Sequence, residues 1–388
     1  MSELLPVYKK WDITPVKAEG SWIETSDGKK YLDFSSGIGV VNFGHQNEYI
    51  KKSVEEQIEL FWHTSNLFQL PIQEEVAAKL NELTGLDGVF FCNSGAEANE
   101  AALKLARKAT GKTKIITFQQ SFHGRTFGAM AATGQSSIHD GFGPLLEGFV
   151  YVPFNDIEAV HAAIDDDVAA IMVEVIQGEG GVIPINESFF QALYQICEQN
   201  NILLIIDEVQ TGNGRTGYPY AYLKYEGIKP DIVTTAKGLG NGLPIGAMIA
   251  KKNLRESFGK GVHGSTFGGN PISLAAGKAV LNQISNPELL AEIRHKAEWF
   301  MDVLKKATED LPLIKEIRGD GFMIGIELVE EAAPYIQQII DQQLIVLPAG
   351  SNVIRLLPPL TVSEDELLLA LSILKEVCSK NYAILTKE

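Results

Sequence analysis

Apolar residues in this chain follow two alternating rhythms. Compact runs (GVFFC, KIITF, AAIMVEVI, ILLIID and DIVTTA) are separated by stretches whose apolar positions recur every three or four residues. Short unbroken runs are the mark of strands buried on both faces, and the three-to-four spacing is the mark of amphipathic helices. The spacing predicts a helix from Ala96 to about Lys108 and another around Phe189 to Gln199. Helices between buried strands imply an α/β fold with a mostly parallel sheet. Ligands of such sheets bind beyond the carboxyl ends of the strands.

After about residue 275 the texture changes. PISLAAGKAVLNQI and ELLAEIRHKAEWFMDVLKKA read as long helices, GFMIGIEL, LIVLPA and VIRLL as short strands. A last helix opens at Ser363, with Glu366 three residues on as in a capping box. We therefore expect a large domain over 45–275 and a small α+β domain from 276–388. The start of the chain, GSWIETSDGKKYLDFSSG, carries a D-G turn between strand-like runs. Its pattern fits either part; we group 1–44 with the small domain.

Composition narrows the partners. The chain has 388 residues, 45% hydrophobic and 21% charged, with a formal net charge of -16. Lys and Arg form no long runs, so nucleic acid and anionic membrane surfaces are poor partners. Three scattered cysteines, Cys92, Cys197 and Cys378, offer neither a disulfide framework nor zinc spacing. No metal site is expected. MSELLPVYKKWD lacks a signal pattern, and no apolar stretch approaches the ~20 residues of a membrane span. A soluble, cytoplasmic protein is expected.

Two charges then stand out. Asp207 ends ILLIID, and Lys237 follows DIVTTA in a glycine-rich turn. A lysine that condenses with a carbonyl and a carboxylate that keeps a pyridine nitrogen protonated are what pyridoxal phosphate chemistry needs. Either alone is a cap or a solvated charge; together, at strand ends, they point to amine chemistry. FCNSGAEANEAALKLARKA adds a strand, a tight turn and a helix. Ser94 and Glu97 fit a capping box there, Glu100 and Lys104 pair at i,i+4, and Gly95 and Ala96 leave first-turn N–H groups open for a phosphate. GNGRTG at 212–217 matches a dinucleotide fingerprint in spacing only. Asp207 and Glu208 interrupt its strand, and Pro219 blocks the helix that would receive the pyrophosphate.

Further candidates carry two readings each. In SFHGRTFG, Phe122 can stack on a ring and Arg125 can clamp a carboxylate, or the segment is a surface loop with a salt-bridging Arg. Glu179 in QGEGG and Arg355 in NVIRLLPPL form either a fixed ion pair or one that opens for a substrate. Ser265 and Thr266 in HGSTFGGNP suit a phosphate or belong to a plain loop, and His263 beside them reads as structural.

In this order, FWHTSNLF, FCNSGAEANEAALKLARKATGK, SFHGRT, QGEGGV, HGSTFGGNP and NVIRLLPPLTV resemble the class III pyridoxal phosphate aminotransferases, and within them the N-acetylornithine aminotransferases. The resemblance spans nearly the whole chain. It implies the type I aminotransferase fold, with pyridoxal 5'-phosphate as cofactor and arginine biosynthesis as setting. The implied reaction moves the distal amine of N2-acetylornithine to 2-oxoglutarate in a homodimer with shared sites. Ornithine, succinylornithine, γ-aminobutyrate or another ω-amine are the alternative donors. By the same resemblance Lys237 holds the cofactor, Asp207 its pyridine nitrogen, and Gln210 its ring hydroxyl. Phe122 stacks on the ring beside Val209, and Ser94, Gly95 and Ala96 hold the phosphate with Thr266 of the other subunit. Arg125 and Ser265 meet the acetylornithine end, and Glu179 releases Arg355 for an α-carboxylate. Two places depart from the family pattern: QNEY after Gly44-His45, and Asn213 where an apolar residue is usual.

Overall fold

The computed structural model describes residues 3–380; residues 1–2 and 381–388, the outer ends of the two segments expected to form the small domain, lie outside the described residues. Its central sheet is made of the apolar runs. These are β1 (Gly88–Cys92), β2 (Lys114–Phe118), β3 (Phe149–Val152), β4 (Val168–Glu174), β5 (Leu203–Asp207), β6 (Ile232–Thr235) and β7 (Gly246–Ala250). Their order across the sheet is β1-β7-β6-β5-β4-β2-β3. All are parallel except β7, which runs against both of its neighbours. Every residue of β4 is buried, as an unbroken apolar run between helical layers requires.

Register brings the chemistry to one edge. Asp207 lies opposite Glu174 on β4 and opposite Thr234 on β6. Because β7 is reversed, it begins at the edge where β6 and β1 end: Ala247 faces Thr235 and Gly246 faces Cys92.

The helix predicted from Ala96 spans Gly95–Thr110, with Ser94 as N-cap and left-handed Gly111 closing it. Two of its expected side-chain pairs differ. Ser94 Oγ accepts the Glu97 N–H at 3.2 Å, but the Glu97 carboxylate turns back to the N–H of Asn93, not of Ser94. Glu100 does not reach Lys104; it accepts the N–H groups of Gly128 and Ala129 at 2.8 and 3.1 Å, capping the helix Phe127–Ala132. Lys104 turns instead to His263 Nδ1 at 2.9 Å. Unpaired N–H groups at a helix start outcompete a solvated ammonium for a nearby carboxylate.

Helices Pro271–Ile284 and Pro287–Thr308 each open with an Asn cap followed by Pro, the residue that loses nothing at the first helical position. Beyond them β8 (Ile314–Asp320), β9 (Met323–Leu328), β10 (Leu347–Ala349) and β11 (Val353–Leu356) form an antiparallel sheet in the order β8-β9-β11-β10. Helix Glu364–Lys380 opens with the reciprocal box predicted at Ser363 and Glu366. The N-terminal strands Pro15–Glu19, Trp22–Thr25 and Lys30–Asp33 join a sheet with Leu344–Ile345. The start of the chain thus packs with its C-terminal part. Phe34, Ile206, Phe300 and Ile324 belong to one buried cluster, so the layers share a core. Among the described residues no helix is long and apolar enough to cross a membrane.

Candidate active site

Asp207 ends β5 with 4% of its surface exposed. Its Oδ2 accepts from Asn99 Nδ2 and from His123 Nδ1, both at 2.8 Å, and its Oδ1 accepts from the N–H of Val209 at 3.0 Å. Such a set of donors holds a buried carboxylate in one orientation. Burial pulls His123 toward its neutral form; the hydrogen bond and charge of Asp207 more than offset this, leaving its pKa raised. The other ring nitrogen, Nε2, is buried without a partner. Glu174, opposite Asp207, accepts the Phe122 N–H at 2.9 Å. Burial pushes its pKa up to about 8, with Asp207 adding to the rise while His123 and Lys237 oppose it.

Lys237 begins the turn after β6 with φ of 44°, left-handed for a residue with a side chain. The turn leaves no slack: a Cβ on Gly238 would lie 2.3 Å from Asn42 Nδ2. Burial lowers the pKa of Lys237, while the charges of Glu179 and Arg355 act on it in opposite directions. The GNGRTG segment runs as consecutive turns, and no helix follows before the short 3-10 turn Ala221–Lys224. No pyrophosphate-binding helix start exists there.

Both charges open onto a cavity of about 430 Å³, a size ordinary for small-molecule sites. At one wall, Ser94, Gly95 and Ala96 present the start of a 16-residue helix. First-turn N–H groups have no carbonyl behind them and, with the helix dipole, attract an anion. A Cβ on Gly95 would meet Val209 at 2.6 Å, so only glycine lets the loop after β5 close against this helix. Phe122 lines the cavity, and the Arg125 guanidinium lies 5.8 Å from its ring centre. Arg125 is exposed at the mouth, and no salt bridge to it occurs among the described residues.

Arg355, on β11, is sealed from the cavity by Glu179. Its Nη1 and Nη2 lie 2.6 and 3.2 Å from the two Glu179 oxygens, a bidentate pair. Gln210 is threaded into it: its Oε1 accepts from Arg355 at 3.0 Å and its Nε2 donates to Glu179 at 3.4 Å. Burial alone would raise the Glu179 carboxyl; the charge and hydrogen bonds of Arg355 outweigh it and hold it below the ordinary range.

Not every candidate converges here. Thr266 is exposed and does not line this cavity. Ser265 Oγ lies behind Asn93, accepting its Nδ2 at 3.2 Å. QNEY, one of the two departures from the family pattern, does not line the cavity; Asn47 within it caps helix Glu48–Leu60. Three residues emerge that the chain's patterns left unassigned: Glu174, His123 and Asn99. Glu174 carries a signal, an acid closing an apolar run just as Asp207 does, and His123 stands beside Phe122 and Arg125 in SFHGRTFG.

The donor set fits pyridoxal phosphate. An anion cradle, a fixed carboxylate, an aromatic face and an amine of lowered basicity all line one cavity, and at the cradle a Cβ on residue 95 would collide with Val209. Among the described residues no cluster of His, Cys, Asp and Glu could hold a metal ion.

Known proteins agree in sequence and shape. The family model described as "Aminotransferase class-III" matches residues 6–378. An acetylornithine aminotransferase of Bacillus cereus is 54% identical over 385 residues, 99% of this chain and 100% of that protein. Among solved structures, the N-acetylornithine aminotransferase of Stenotrophomonas maltophilia has a TM-score of 0.85 at 32% identity, over 97% of this chain and 98% of that one. An ornithine aminotransferase of Toxoplasma gondii, with PLP at partial occupancy in its active site, has a TM-score of 0.91 at 29% identity, over 96% of this chain and 92% of that one.

Proposed function

The chain belongs to the class-III aminotransferases, and from that premise we propose that it transfers the distal amino group of N2-acetylornithine to 2-oxoglutarate, forming N-acetylglutamate 5-semialdehyde and glutamate. The enzyme is a pyridoxal phosphate-dependent transaminase. Bound in the cavity, the cofactor supplies a carbonyl that takes up the amino group and a ring that takes up the electron pair of the deprotonated carbon.

The chain's own residues do the rest. Ser94, Gly95 and Ala96 would hold the phosphate, and Phe122 and Val209, which line the same cavity, would hold the ring. Asp207, fixed by Asn99 and His123, keeps the pyridine nitrogen protonated. Gln210 meets the ring hydroxyl. Lys237 holds the cofactor between turnovers. With the cofactor bound, the Lys237 amine would be the group that takes up and returns the substrate proton, and its lowered basicity favours the neutral form a base needs.

The observation that carries the substrate reading is the pair of arginines in opposite states. Arg125 is exposed and without a salt bridge; Arg355 is buried behind Glu179. N2-acetylornithine carries its amine far from its carboxylate and is gripped at Arg125, with Ser265 nearby, while Arg355 stays closed. 2-Oxoglutarate needs a cation beside its keto group, and Glu179 opens to give it. The test is a half-reaction without 2-oxoglutarate, followed by the visible absorbance of the bound cofactor. Rapid conversion by N2-acetylornithine and slow conversion by ornithine support the reading; the reverse moves it to ornithine.

We also infer a cytoplasmic homodimer with shared sites. Thr266 reaches the partner's phosphate, which its exposure supports. Around it lies an apolar band: Leu67 is 95% and Trp62 67% exposed, with Phe68 and Phe267 beside them. Asn66 ties this segment to the Thr266 loop through the carbonyls of Ser265 and Gly268, both at 3.0 Å. Helix Pro271–Ile284 runs unbroken through residue 275, so we place the division between large and small domains after it.

A further inference from the structure

Asn213, where the family pattern has an apolar residue, is 1% exposed and left-handed, with φ of 56°. Its Nδ2 donates to Thr235 Oγ1 at 3.0 Å and to the carbonyl of Ala236, the residue before Lys237, at 3.1 Å. Its own carbonyl accepts from Asn42 Nδ2 at 3.0 Å. Asn42 Oδ1 in turn accepts from Arg215 Nη2 at 2.6 Å, and Asn42 packs under Gly238. Arg215 is fully buried and reaches the carbonyls of Phe322 and Pro358 beside the C-terminal sheet. A chain of directed bonds therefore runs from that sheet to the backbone that launches Lys237.

We propose that Asn213, braced by Asn42, is a positioning residue for Lys237: its amide fixes the Ala236 peptide and so the direction in which the amine enters the cavity. The inference rests on Lys237 being the reacting amine. The turn begins with a non-glycine residue at positive φ, a conformation that persists only where its surroundings over-determine it. Asn213 supplies that constraint with both Nδ2 protons, while its Oδ1 is buried without a partner. A satisfied core amide would use the oxygen as well; here only the donor end is employed, and it points at the Lys237 turn.

Two variants test this. Asn213→Gly keeps the left-handed backbone and removes the donors; Asn213→Asp keeps the shape and the tolerance for positive φ but only accepts. With folding checked by thermal melts of the apoprotein, both variants should lower kcat roughly three- to tenfold, the worth of one or two hydrogen bonds. KM for both substrates should stay within about twofold, because the Arg125 and Arg355 grips are untouched. The pH midpoint of the bound cofactor's visible absorbance should move in both. A native midpoint and kcat in Asn213→Asp would overturn the proposal, as would kcat and KM worsening together. Should Asn213→Asp not fold, Asn213→Gly decides alone by the same criteria. Lys237→Ala is the reference: if it still turns over, the reading of Lys237 fails; if it is dead while Asn213→Gly is native, only the positioning role fails.

Discussion

Replacing Glu179 by Ala should turn the site toward substrates that carry a carboxylate beside the reacting carbon. In the structure Glu179 neutralises Arg355 through contacts of 2.6 and 3.2 Å, and on the proposed reading 2-oxoglutarate or glutamate displaces it. Stranding one partner of a fully buried pair costs ~3–5 kcal/mol. The Glu179 side chain is 30% exposed and Arg355 only 3%, so water screens the acid on one side. Gln210 also continues to accept from the guanidinium. Taking about half the buried value leaves ~1.5–2.5 kcal/mol that the incoming carboxylate no longer has to overcome. At 1.4 kcal/mol per tenfold, kcat/KM for glutamate relative to N2-acetylornithine should rise roughly 10- to 60-fold. The assay is a pair of single-turnover half-reactions, one with each donor, followed by the bound cofactor's absorbance. An unchanged ratio, or an equal fall with both donors, would show that Glu179 and Arg355 form a fixed structural pair.

Other outcomes follow from the same geometry. Lys237→Ala should reduce turnover by at least about 10³-fold while the apoprotein melts normally, since the loss of a proton-transferring group alone costs about 10²–10⁴. Glu174 and Glu208 have folded pKa values raised to about 8 and about 7 from an ordinary 4.5, mainly by burial. Stability from their protonated forms is complete below pH 4.5 and lost as pH rises through 7–8. In urea titrations the Glu174→Gln apoprotein should lose less stability between pH 5 and 8 than the native chain; parallel pH curves would contradict this. Mixing subunits carrying Lys237→Ala with subunits carrying Thr266→Ala should restore activity, because one of the two shared sites then has both residues intact; no recovery on proven mixing would exclude sharing.

Much of this site is legible in the sequence alone. Asp207 and Lys237 were visible because a charge that ends an apolar run has one place to go in a parallel sheet, its carboxyl edge. Ser94, Gly95 and Ala96 were visible because capping and the need for a close approach leave a local mark. Glu174 ends an apolar run too, but its pairing with Asp207 depends on the register of β4 against β5, which is set by packing across the whole sheet. Asn99 is hidden in a helix, where nothing local separates an inward amide from a solvated one. Arg215 looks like any loop arginine until the turn around it is buried by Phe322 and Pro358, more than a hundred residues later. Asn42 comes near Lys237 only because the start of the chain folds back with the C-terminal part. The Glu100–Lys104 spacing failed for a related reason: a short helix brought over by the fold offered Glu100 better donors.

The reversed strand β7 has a consequence for how such a site can change. A parallel strand after β6 would oblige the chain to cross to the far edge of the sheet and return. Reversal lets it leave at Thr235 and re-enter at Gly246 on the same edge. Lys237 is therefore carried on a short bow fastened at both ends to neighbouring strands, whereas Arg355 is carried on a separate sheet. On the proposed reading, the reacting amine and the cation that meets the carboxylate beside it are thus carried by parts with independent foundations. Sliding one foundation against the other would retune the fit of that carboxylate and leave the bow and its amine as they are.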